Sequence, residues 1–60
     1  MFTAAELDVL VEVLEEYQRE LHAEILGTDD REFKKDLKTK EETIRHMLEK
    51  LEYERIAETN

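Results

Sequence analysis

A single glycine, Gly27, stands between two long stretches of helical patterning in a 60-residue chain that has no proline. That placement limits the possible folds more than any other feature. Glycine just past a helix end can take the left-handed conformation that other residues adopt only at a cost. A tight Gly27-Thr28-Asp29 turn is therefore expected, and a β-branched residue at position 27 should be resisted there. A connection that short sends the second helix back alongside the first. The pattern predicts an all-α fold, a two-helix antiparallel hairpin with helices over about 3–26 and 30–57, in one domain spanning 1–60.

The punctuation agrees. Thr3-Ala4-Ala5-Glu6 has the spacing of a capping box, with Phe2 and Leu7 placed as a hydrophobic staple. Thr28 or Asp29 can cap the second helix, and Asp29 with Glu32 echoes the box. Leu7, Leu10, Leu14, Tyr17, Leu21 and Ile25 recur every three or four residues, with Val11 beside them. Phe33, Leu37, Ile44, Met47, Leu48 and Leu51 do the same in the second helix. In an antiparallel hairpin centred on Thr28 and Asp29, facing positions have numbers adding to about 58. Leu21 then meets Leu37, Leu14 meets Ile44, Val11 meets Met47 and Ile25 meets Phe33. One layer is polar: Tyr17 and Gln18 face Lys40 and Glu41. It reads as a register-setting layer from which Lys40 reaches outward to water.

Several apolar residues are left over. Val9 and Val13 lie on a flank that an intramolecular partner does not fully cover, with Phe2 on the same side. Tyr53 and Ile56 fall off the main stripe near the same end of the hairpin. A lone pair of helices has little core, and a second copy is the simplest further layer. Phe2, Val9, Val13, Tyr53 and Ile56 are thus the expected interface of a homo-oligomer, a dimer first, forming a four-helix bundle.

Charge separates the two halves. Residues 1–26 carry seven acids and one base, for −6, and residues 27–60 carry ten acids and eight bases, for −2. A net charge of −8 disfavours nonspecific binding to nucleic acid or to an anionic membrane. Arg31, Lys34, Lys35 and Lys38 nevertheless gather on one face of the second helix, as an alternative anion-binding face. The plainer reading is charge balance with nearby acids, through pairs such as Asp36–Lys40 and Glu41–Arg45.

Reaction chemistry finds little support in the residues. There is no cysteine and no serine, so the commonest nucleophiles are missing. His22 and His46 follow Arg19 and Thr43 at the third position, so neither forms the Glu-x-x-His of a di-metal bundle. No cofactor, no metal and no catalytic residue is expected, and a two-helix hairpin offers no obvious pocket. The beginning of the chain lacks the features of a signal peptide, and no apolar run approaches a membrane span, so a cytoplasmic protein is expected.

A capped hairpin of this length with leftover apolar residues resembles the plasmid copy-number regulators. In those proteins two hairpins form a four-helix bundle that binds paired RNA loops. The likeness is one of architecture alone, and no residue is carried over from it. The expected function is a self-associating, non-enzymatic protein–protein interaction module that docks a protein partner through a helical face. The rival is an RNA- or DNA-binding regulator using the basic face of the second helix.

Overall fold

The computed structural model describes residues 1–59. Two helices, α1 (Ala4–Gly27) and α2 (Arg31–Thr59), pack against each other in a hairpin measuring 45 × 15 × 14 Å. The expected helices are thus present, each ending one or two residues from its expected bounds.

α1 starts on a complete capping box. The Glu6 amide donates to Thr3 Oγ1 at 3.1 Å, and the Thr3 amide donates to Glu6 Oε1 at 2.8 Å. Two of the amides left without helical partners at this terminus are satisfied reciprocally. α2 is capped by Asp30, not by the expected Thr28 or Asp29. Asp30 Oδ1 accepts from the Glu32 and Phe33 amides at 3.0 and 3.1 Å. Those are the second and third helical positions, the ones a capping carboxylate reaches. Thr28 Oγ1 supports the turn by accepting from the Asp30 amide at 3.3 Å.

Gly27 behaves differently from the sequence expectation. It is the last residue of α1, and no described residue has a positive φ. The chain turns instead at Thr28, which is extended (φ −105, ψ 141), and Asp30 then restarts the helix. Side-chain acceptors organise this reversal, so no left-handed residue is required. A Cβ placed on Gly27 meets nothing within 4 Å, and the expected penalty for a side chain there falls away.

Leu7, Val11, Leu21, Ile25, Leu37 and Ile44 are buried. Leu21, Ile25, Leu37 and Ile44 form one cluster, with Leu14 and Leu48 packed against it. Leu14, Leu21, Leu37 and Ile44 therefore lie in one core, which does not by itself fix their expected pairwise facing. The register of the flanking pairs does not follow the simple sum. Asp8 pairs with Arg55 and His22 with Glu41, where a sum of 58 would place Lys50 and Asp36. Each partner lies more than a helical turn further along α2. Helical side chains lean toward their own N-terminus, which shifts both members of an antiparallel pair in the same sense. Extended Thr28 also carries the chain beyond the end of α1 before it returns.

The covered positions form one seam. On α1 they are Leu7, Val11, Leu14, Gln18, Leu21 and Ile25, with Ala4 and Leu10 half-buried at its margin. On α2 they are Lys34, Leu37, Glu41, Ile44, Leu48, Leu51 and Arg55, with Glu52 half-buried at its margin. Phe33 and Met47, expected on this stripe, are 48% and 44% exposed. Each sits one residue before a seam position, about 100° around the helix from it.

Candidate interaction faces

The seam divides the surface of the hairpin into two sides. His22, Lys38, Glu42 and Arg45 each follow a seam residue by one, and they line a single groove with Gln18, Ile25 and Glu41. Residues following the seam on α1 and on α2 therefore share one side of the molecule. Residues preceding it share the other, as antiparallel helices require.

The two sides differ in chemistry. The side that follows the seam is charged: Asp8, Glu12, Glu15, Arg19 and His22 on α1, and Lys35, Lys38, Glu42, Arg45, Glu49 and Glu52 on α2. Leu26 and Ile56, one at each end, are its exposed large apolar residues. Cross-helix contacts span this side. Arg55 Nη1 donates to Asp8 Oδ1 at 3.1 Å, while its other nitrogen contacts both Glu52 carboxylate oxygens at 2.9 Å. His22 Nδ1 lies 3.4 Å from Glu41 Oε2.

The side that precedes the seam carries more of the large apolar residues. Leu10, Val13 and Tyr17 of α1 and Phe33 and Met47 of α2 lie on it, interspersed with Glu6, Glu20, Glu24, Asp36, Lys40, Lys50 and Glu54. Val13 is 54% exposed and Tyr17 38%. Phe2, Ala5, Glu6, Val9 and Leu10 line a depression at its chain-terminal end. Scattered single apolar residues are ordinary on a protein surface, whereas several exposed on one face make it a candidate interaction site.

The five expected interface residues separate in the structure. Phe2 and Val9 come together with Leu10, and Val13 continues the band one turn on. Tyr53 lies on the outer side of α2 among Glu49, Lys50 and Glu54. Ile56 follows Arg55, on the charged side. Tyr53 and Ile56 thus do not join the Phe2 patch, because α2 turns them away from it. Phe33 and Met47, assigned to the core from the sequence, take their place on the apolar side. The clue was present in their spacing: each shares its helical position with Lys40, seven residues away.

The expected polar layer also separates. Gln18 and Glu41 are half-buried in the seam, whereas Tyr17 and Lys40 are exposed on the apolar side. The basic residues do cluster: Arg31, Lys34, Lys35 and Lys38 line one shallow groove with Thr39 and Glu42. The expected Asp36–Lys40 and Glu41–Arg45 pairs do not form. Arg45 instead reaches Glu42 at 3.7 Å, and Glu41 turns to His22.

Among the described residues no group of three or more His, Cys, Asp or Glu is arranged to hold a metal ion. No described helix is long and apolar enough to cross a membrane. The fold and its surface thus define a class: a two-helix hairpin whose exposed large apolar residues lie mostly on one side. No family model, curated protein or solved structure matches the chain.

Proposed function

We propose that this chain is a small non-enzymatic interaction module, which associates with a second copy to form a four-helix bundle and docks a protein partner through a helical face. The observation that carries this reading is the exposed band of Phe2, Val9, Val13, Tyr17 and Met47 on one side of the hairpin. Full burial of one such side chain is worth about 1.5–3 kcal/mol, so covering several of them offsets a substantial association cost. The thin core acts in the same direction, because six buried apolar residues form a single seam.

Sedimentation at micromolar concentration tests the proposal. A mass of at least twice 7.2 kDa is expected. The double variant Val9→Glu, Val13→Glu should lower both mass and thermal stability, since folding and association are linked. A folded monomer at millimolar concentration would refute the proposal.

The rival reading, a nucleic-acid-binding regulator, draws on the Arg31, Lys34, Lys35 and Lys38 groove. No ion pair neutralises these four cations among the described residues. It ranks second because the field of a −8 chain repels a polyanion, and four cations offer few phosphate contacts. No gel shift of duplex or structured RNA is expected at ~150 mM salt, where nonspecific contacts are weak. Submicromolar binding abolished by Lys34→Glu with Lys38→Glu would reverse the ranking.

A further inference from the structure

We infer that the second copy sits on the apolar side with its turn at the same end as the first, so that α1 of each copy lies against α2 of the other. This inference rests on the self-association proposed above and gives it a geometry.

The argument starts from the distribution of residues along the apolar side. The Asp8–Arg55 and His22–Glu41 contacts fix which positions lie level across the hairpin. Between those two marks, Val13 falls between Met47 and Leu51, and Tyr17 between Thr43 and Met47. The chain-terminal half of this side therefore carries Phe2, Leu10, Val13, Tyr17 and Met47, with Glu6, Lys50 and Glu54 among them. The half nearer the turn carries Glu20, Glu24 and Asp36, with Phe33 and Lys40 among them. The large apolar residues are thus concentrated in the chain-terminal half, against Phe33 in the half nearer the turn, while charged residues occur in both.

Two hairpins can meet face to face about a two-fold axis along the rod or across it. An axis across the rod sets α1 against α1 and reverses one copy end for end. Leu10, Val13 and Met47 would then rest on the partner's acidic half, with Glu20, Glu24 and Asp36 losing water against apolar groups. It would also bring two helices of charge −6 side by side. Sliding the copies until only the apolar halves overlap restores the match but leaves half of each face uncovered. An axis along the rod avoids the apolar-on-acidic match and the α1–α1 pairing. It sets Glu20, Glu24 and Asp36 of both copies at the turn end, where Lys40 of each copy is the counter-charge. Apolar half meets apolar half, and each acidic α1 faces the nearly balanced α2, which supplies Lys40 and Lys50.

The size of the face fits the same arrangement. Full overlap of a 45 × 15 Å side gives a footprint of roughly 670 Å² per copy, close to the ~800 Å² per partner of a standard stable interface. Half of that would fall among weak or transient contacts.

The chain has no cysteine, so one introduced thiol gives a single labelling site. Asp29 is exposed and takes no part in the turn hydrogen bonds of Thr28 and Asp30. A nitroxide on Asp29→Cys then reports the distance between the two turns of the full-length dimer by pulsed dipolar spectroscopy. An axis along the rod predicts side-by-side turns, about 15–30 Å apart, given a hairpin 15 Å wide. Sedimentation of the labelled protein is run in parallel, with Met47→Glu and Tyr53→Glu as companion variants. Met47→Glu should raise the dissociation constant at least about tenfold, as loss of a central apolar contact does, whereas Tyr53→Glu should leave it nearly unchanged. A dimer with turns 45 Å apart or more overturns this geometry and leaves self-association standing. A short distance with no effect of Met47→Glu overturns the choice of face. A monomer in every assay removes both this inference and the reading beneath it.

Discussion

Gly27 and Asp30 show how much a turn depends on which residue supplies the unusual chemistry. Gly27 is helical and a Cβ there meets open space, so glycine contributes only its entropic penalty at that position. Gly27→Ala is expected to raise stability by about 0.5–1 kcal/mol, read as a higher denaturant midpoint with an unchanged slope. Asp30 carries the start of α2. Asp30→Ala should cost about 1 kcal/mol, whereas Asp29→Ala should be near neutral, and equal losses from the two would contradict the cap assignment. The sequence made a turn at this point legible, since nothing else interrupts the helical pattern. It did not reveal which of two adjacent aspartates caps, because both satisfy the compositional rule and the choice depends on the backbone path through the turn.

At the scale of the helices, periodicity identified the core and missed its edges. Leu7, Val11, Leu21, Ile25, Leu37 and Ile44 are buried where their three- and four-residue spacing placed them. Phe33, Met47 and Tyr17 fit the same spacing yet lie about 100° off the seam, since an apolar stripe wider than the contact leaves its margin outside. The numerical register failed for a related reason. It counted backbone positions, while contacts are made by side chains that lean along the helix. Leu21→Ala should therefore cost about 2–5 kcal/mol as a buried truncation, and Tyr17→Ala much less in a monomeric sample. Comparable losses at micromolar concentration would show that Tyr17 is covered by a partner. The candidate faces were only partly legible. Helical spacing placed Phe2, Val9 and Val13 on one flank, but the sides of Tyr53 and Ile56 depend on where the seam runs along α2.

At the scale of the whole molecule, three residues separate two arrangements of the same helices. Only Thr28, Asp29 and Asp30 lie outside helical geometry between Ala4 and Thr59. Replacing all three with alanine removes the Asp30 cap and supplies strong helix formers. The chain should then favour one uninterrupted rod of about 84 Å, at 1.5 Å per residue, in place of the present 45 Å. Small-angle scattering would detect the doubled length, and an unchanged profile would show that seam packing alone enforces the bend. An opened rod does not lose its apolar stripe; it offers both halves to another molecule. Two such rods, laid antiparallel, can rebuild the Leu21, Ile25, Leu37 and Ile44 cluster with residues from different chains. The brief reversal after Gly27 is therefore the expected hinge for domain exchange, and helix-swapped dimers are the expected product when it straightens.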